Sequence, residues 1–257
     1  MEENASYILY SCKDGLARIT LNRPQWNILN IEMLQEINQR ITDLQFASDV
    51  KLLVFNAVGD TFSAGISVEE HTDEKTYQMV DEFHKTFTLL HATNIPTIAV
   101  VKGAALGGAC QLVAFCDLAI AAESAKFGQP EIKVGIFPTV AAVWYPYLIG
   151  MKKTMELLLT GQIISAHQAA EMNLINKVVP DDALETEAQK IINVILSYSS
   201  IVIQYTKQAV RQARLVEFSE ALRIAEDIYL TQLLQSEDAR EGIKAFLEKR
   251  KPQWQNK

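Results

Sequence analysis

Apolar residues in the first half of the chain recur in two rhythms. Tyr7–Ser11 and Leu16–Asn22 alternate apolar and polar positions around Lys13-Asp14-Gly15, the pattern of two strands joined by a tight turn. Ile31, Leu34, Ile37, Ile41 and Leu44 then repeat at three- and four-residue spacing, which predicts an amphipathic helix over Asn30–Ala47. Lys51–Ala57, Thr97–Val101 and Asp117–Ala122 have the length and apolar content of buried strands, and a second helix is predicted over Glu74–His91. After about Ser165 the strand signals stop. Helices are predicted at Ala183–Ser197, Ile201–Val216, Ser219–Gln235 and Glu237–Lys249. Strands mixed with helices and followed by an all-helical tail predict an α/β core carrying a helical C-terminal region. No internal repeat of fixed period and no low-complexity linker interrupts this order.

Composition narrows the class. With 257 residues, 49% apolar and 21% charged, the chain can bury a substantial core. The most apolar stretch, Pro96–Leu118, is interrupted by Lys102, Gln111, Cys116 and Asp117, so it reads as buried strand, turn and helix and not as a membrane span. The net charge of −7 argues against a nucleic-acid partner. Glu2 and Glu3 open the chain without a basic-then-apolar pattern, against a secretory signal. Cys12, Cys110 and Cys116 are too few and too irregular for a disulfide framework or a zinc site, and read as buried free thiols in a reducing cytosol. The expectation is a cytoplasmic protein without a metal.

The motifs of serine hydrolases, phosphate-loop enzymes, dinucleotide enzymes and zincins are absent. What remains is a pair of glycine-bearing turns, each following a buried strand. The first is Phe62-Ser63-Ala64-Gly65-Ile66-Ser67. The second is Gly103-Ala104-Ala105-Leu106-Gly107-Gly108, opening a helix at Ala109–Phe115. Free N–H groups at such a helix start suit an oxygen gaining negative charge, although glycines in turns also serve structure alone. Glu131 begins a short helical turn among apolar neighbours. Desolvation there would raise its pKa toward values useful in proton transfer, while a helix-start glutamate facing water is the competing reading.

The two turns, Gln129-Pro130-Glu131 and their spacing resemble the enoyl-CoA hydratase/isomerase (crotonase) superfamily. Agreement continues in Leu21-Asn22-Arg23-Pro24, Leu159-Thr160-Gly161, Val178-Val179-Pro180 and Ala245–Arg250. The resemblance implies a spiral of β-β-α units over residues 1–197 and a helical trimerisation region over 198–257. It implies that the backbone N–H groups of Ile66 and Gly108 form an oxyanion hole for a thioester oxygen, and that Glu131 is a catalytic carboxylate. Ala64, Gly65 and Val68 would wrap the coenzyme A of the substrate, and Lys249 of a neighbouring subunit would approach its phosphates. A homotrimer or a hexamer follows, with no permanently bound cofactor. Arg23 would support a turn or touch a phosphate peripherally.

Two departures from the family pattern stand out. Gln111 occupies the place of a second glutamate, and a glutamine can orient water but cannot accept a proton. Val140, Ala141 and Ala142 replace a glycine run and are expected to fill the acyl pocket differently. With Asn22–Asn30, Ala64–Thr72 and Phe127–Lys133, these features look most like the cyclohexa-1,5-diene-1-carbonyl-CoA hydratases of anaerobic aromatic degradation. A single-glutamate double-bond isomerase and a non-catalytic acyl-CoA binder are the alternatives. His71, His84, His91 and His167 read as surface or packing residues, although His71 and His84 fall near the site. Glu69 and Glu70 read as solvated loop charges, and Trp144 and Tyr145 as packing residues.

Overall fold

The computed structural model describes residues 6–257 apart from 48, 72, 73 and 215, so Glu2, Glu3 and Thr72 lie outside the described residues. Strands β1 (Ile8–Lys13) and β2 (Leu16–Leu21) form the expected antiparallel hairpin, turning through Asp14 and Gly15 at positive φ. On β2 Ala17, Ile19 and Leu21 point into the core and alternate with half-buried residues. Helix α1 (Ile31–Leu44) begins where Asn30 accepts from the Met33 N–H at 3.2 Å, and it buries the apolar stripe read from the sequence. β3 (Leu52–Ala57) and α2 (Thr76–Ala92) follow.

The next segments repeat one step. β4 (Thr97–Val101) enters a large sheet, β5 (Ala104–Leu106) enters a small one, and α3 (Gly108–Phe115) follows. β6 (Leu118–Ala122) and β7 (Lys126–Gly128) do the same, followed by a tight helical turn at Pro130–Val134. Then come α4 (Thr139–Leu148), α5 (Gly150–Thr160), β8 (Ile163–Ser165), α6 (Ala166–Glu171), β9 (Lys177–Val179) and α7 (Leu184–Leu196). The large sheet runs β1-β2-β3-β4-β6-β9, parallel from β2 onward, and the small sheet runs β5-β7-β8. Central strands are apolar on both faces because both are covered. Leu53 and Phe55 join the main core with α1 and α2, while Leu52, Val54, Ile98, Val100 and Ile120 pack against Leu184, Ala188 and Ile192 of α7.

Helices α8 (Ser200–Gln212), α9 (Phe218–Asp227) and α10 (Glu237–Leu247) complete the chain, and the expected boundary at 197/198 falls between α7 and α8. Lys207 ties α8 to the core through Asp117 Oδ2 at 2.7 Å and the Ile95 carbonyl at 2.8 Å. The buried Asp238 carboxylate accepts from the Gln255 and Asn256 N–H groups at 2.6 and 2.9 Å, pinning the C-terminal segment. No described helix is long and apolar enough to cross a membrane.

Several expectations are corrected. Strand structure does not stop at Ser165: β9 pairs with β6, its three residues being too few to show a period. The helix expected over Ser219–Gln235 ends at Asp227 and gives way to a wider turn at Ile228–Gln232 and a tighter one at Leu233–Gln235. Cys12 is exposed on the edge strand β1, unlike the buried Cys110. Glu70 is buried at 6% exposure, because its carboxylate accepts from the Ile31 N–H at 2.9 Å at the start of α1.

Candidate active site

The two glycine turns touch. Ser63 N–H donates to the Ala104 carbonyl at 2.9 Å, and Leu106 N–H donates back to the Ser63 carbonyl at 3.0 Å. A Cβ on Gly65, whose φ is +106°, would sit 2.8 Å from the Leu106 carbonyl oxygen, so only glycine allows the approach. On its other side the first turn pairs with Leu29. Leu29 N–H donates to the Gly65 carbonyl, and Ser67 N–H donates to the Leu29 carbonyl. In extended backbone, bonding through residues 65 and 67 turns the Ile66 N–H the opposite way. Gly108 is the first residue of α3, where an N–H has no acceptor one turn back. Neither N–H has an acceptor among the described residues. Ile66 also packs directly on Gly108, since a Cβ there would lie 2.6 Å from Ile66 Cγ1.

Glu131 stands beside this pair. Its Oε1 is 3.0 Å from where a Cβ on Gly107 would be. Gln111, one turn into α3, donates from Nε2 to Glu131 Oε1 at 3.1 Å, and its Oε1 accepts from the Val140 and Ala141 N–H groups at 3.1 and 3.2 Å. The Gln129 amide meets the carboxylate through its nitrogen, donating at 3.0 and 3.2 Å while its oxygen accepts from the Tyr145 hydroxyl; reversed, it would set oxygen against oxygen. Burial pushes the Glu131 carboxyl up to about 7, with its own backbone N–H and the Gln111 amide pulling the other way. A carboxyl so poised accepts or returns a proton near neutrality.

These groups open into a cavity of about 540 Å³ lined by Ala64, Gly65, Ile66, Val68, Gly107, Gly108, Gln111 and Glu131, with apolar walls from Met79, Val80, Phe83, Ile136 and Phe137. Thus Ile66, Gly108, Gln111 and Glu131 are brought together, and Ala64, Gly65 and Val68 line the same space. Lys249 is exposed after α10 and does not line the cavity of its own chain. Arg23 serves its own turn, donating to the Ile28 carbonyl at 3.2 Å.

Val140, Ala141 and Ala142 do not line the cavity: they begin α4, and two of their N–H groups clamp Gln111 instead. Tyr145 is buried with its hydroxyl 3.2 Å from Cys110 Sγ, and Trp144 donates to the Ala114 carbonyl, so both pack outside the cavity. His84 is more than a packing residue. It lines the cavity and shares a 2.6 Å hydrogen bond with Thr139 Oγ1. His71 also lines it, with Nδ1 engaged by the Ser67 carbonyl at 2.9 Å, while His91 and His167 are exposed elsewhere. Thr139 and Gln129 were not singled out by the sequence. Gln129 lies inside the Gln129-Pro130-Glu131 motif, where only Glu131 was given a role.

Comparisons with known proteins identify the family. Residues 11–257 match the family described as Enoyl-CoA hydratase/isomerase. A probable enoyl-CoA hydratase of Mycobacterium bovis is 38% identical over 239 residues, covering 92% of this chain and 93% of that protein. A crotonyl-CoA hydratase of Syntrophomonas wolfei is 36% identical over 251 residues, covering 95% and 96%. The crystal structure of an enoyl-CoA hydratase from Bacillus anthracis superposes with a TM-score of 0.93 at 30% identity, covering 98% of this chain and all of that one. Matched over residues 11–257 and covered almost end to end by these relatives, the chain belongs to the enoyl-CoA hydratase/isomerase family, is an enzyme of that family and has the crotonase fold.

Proposed function

We propose that the enzyme adds water across the double bond of an α,β-unsaturated acyl-CoA, and the observation that carries this reading is the Glu131 carboxyl beside two N–H groups that have no acceptor among the described residues. The Ile66 and Gly108 N–H groups hold the thioester oxygen. Glu131 takes a proton from water as the water oxygen bonds to the β-carbon. The displaced electron pair becomes an enolate held by the two N–H groups, a donor of this kind supplying about 3 kcal/mol. The proton then returns from Glu131 to the α-carbon. Gln111 fixes the water and the carboxyl without carrying a proton.

Ala64, Gly65 and Val68 hold the coenzyme A moiety at the cavity mouth, and Lys249 from a second copy of the chain meets its phosphates. Assembly as a trimer or hexamer through residues 198–257 is supported by the exposed Phe218, Phe246 and Leu247, which are 77%, 82% and 74% exposed. Gln111 and the sequence stretches around both turns support a cyclic dienoyl thioester of anaerobic aromatic degradation as the substrate. Bacterial relatives support a place in the cytoplasm.

The test is turnover of crotonyl-CoA and cyclohexa-1,5-diene-1-carbonyl-CoA in isotopically labelled water by the wild type and Glu131→Gln. Oxygen from solvent appears in the product of a hydratase, and the variant loses about a hundredfold or more. Full activity in the variant would reject the role of Glu131. A shifted double bond without solvent oxygen would favour the isomerase reading, which the single carboxyl near 7 also accommodates.

A further inference from the structure

One polar pair in the cavity takes no part in the chemistry above. His84 on α2 and Thr139 at the start of α4 both line the cavity and are joined by a hydrogen bond, with Nε2 and Oγ1 2.6 Å apart. Met79, Val80, Phe83, Ile136 and Phe137 supply apolar lining to the same cavity. Polar groups in such a wall are costly unless they meet a partner. The bond between the two leaves capacity unused. A hydroxyl offers one donor and two acceptor sites, and an imidazole offers two nitrogens. His84 Nδ1 has no partner among the described residues.

A chain of bonds gives the pair its place relative to the reaction. Gly108 binds the thioester end. Gln111, one turn further along α3, reaches Glu131 with its nitrogen and the Val140 and Ala141 N–H groups with its oxygen. Thr139 is the residue before Val140. The pair is therefore tied through the first turn of α4 to the amide that holds Glu131, and it lines the same cavity as Gly108 and Glu131.

We infer that His84 and Thr139 form a polar subsite for an oxygen on a bound acyl group, so that acyl-CoA thioesters carrying a hydroxyl or oxo group within its reach bind more tightly than their plain hydrocarbon counterparts. This rests on the reading that the cavity holds the acyl group of a thioester. A simple tie between α2 and α4 would make no such selection. A substrate oxygen also accounts for the unused hydrogen-bonding capacity, because sites built around a hydroxyl discriminate against analogues lacking it.

Saturated thioesters cannot be hydrated, so their binding tests the subsite apart from the reaction. Calorimetric titration with hexanoyl-CoA and with 4-, 5- and 6-hydroxyhexanoyl-CoA is expected to find at least one hydroxy isomer bound about tenfold tighter than hexanoyl-CoA. In His84→Phe and in Thr139→Val that affinity ratio falls to about one. A wild type with no preference for any hydroxy isomer overturns the inference, and so does a preference that survives both substitutions. A protein that keeps the preference but hydrates no enoyl-CoA would lose the proposed reaction and retain the subsite.

Discussion

Gln111 Nε2 lies 3.1 Å from Glu131 Oε1 while the other end of the same amide is clamped by the Val140 and Ala141 N–H groups. The amide cannot rotate without orphaning those donors, so its NH2 end is committed to the carboxyl. In Gln111→Glu the clamped oxygen would be stabilised as an anion by two N–H groups at the start of α4. The second oxygen would then face Glu131 and oppose its ionisation. The acidic limb of kcat/KM against pH for enoyl-CoA hydration is expected to move up by about one unit, read as an apparent value of the coupled pair. A limb that stays in place or moves to lower pH contradicts this geometry.

The same carboxyl makes stability depend on pH. Its value rises from 4.5 in the open chain to about 7 in the fold, mainly by burial. Between these values the folded protein binds more protons than the unfolded one, so Glu131 favours the fold fully below about 4.5, and the advantage fades as pH rises through 7. Glu131→Gln removes an ionisable group and keeps the shape. The variant is expected to gain on the wild type with rising pH, by up to about 3 kcal/mol at pH 8. Denaturant titrations at pH 5 and pH 8 measure it, and equal differences at both would show that Glu131 is not desolvated.

The sequence made the frame legible wherever a period was long enough to count. The stripe on α1 and the apolar runs of β3 and β4 map onto the core within a few residues at each end, because burial on one or both faces leaves a repeated mark. Three-residue strands such as β9 leave none, and α4 is apolar around most of its surface with Pro146 inside it. At the site, Glu131 and the glycines were marked out by the family pattern they match, since residue type alone left a structural reading open for each. The Gln129–Tyr145 contact and the His84–Thr139 pair do not, since each joins residues distant in sequence through side-chain direction alone. Glu70 was misread for a related reason: its partner is a backbone N–H at Ile31, and a main-chain donor has no letter in the sequence.

Attachment of the C-terminal helices to the core can be tested at Lys207. Its side chain is 10% exposed and holds both Asp117 and the Ile95 carbonyl. Asp117 keeps two other bonds, from the Thr97 N–H and hydroxyl, when the ammonium is removed. The cost of Lys207→Met is therefore set chiefly by the lost pair and the stranded carbonyl, about 1–3 kcal/mol in chemical denaturation. A loss below about 0.5 kcal/mol would mean that α8 is held by its apolar contacts alone.

The two glycine turns, proposed above to hold the thioester oxygen, offer a test in which no reacting side chain is touched. A methyl group on Gly108 would lie 2.6 Å from Ile66 Cγ1, 2.9 Å from its Cδ1 and 3.0 Å from Phe83 Cε2. Gly65 and Ser67, on either side of Ile66, are bonded to Leu29, and Gly65 also approaches Leu106 closely, so the backbone of the first turn has little freedom to retreat. Relief must come from turning the packed Ile66 or Phe83 side chain or from separating the two N–H groups. Separation misplaces donors that act on charge developing in the transition state, so Gly108→Ala is expected to lower kcat by about a hundredfold or more. Binding of saturated acyl-CoA, whose thioester oxygen carries no developing charge, should fall much less. Equal losses in kcat and in saturated acyl-CoA affinity would instead mark the methyl group as a plain obstruction of the cavity.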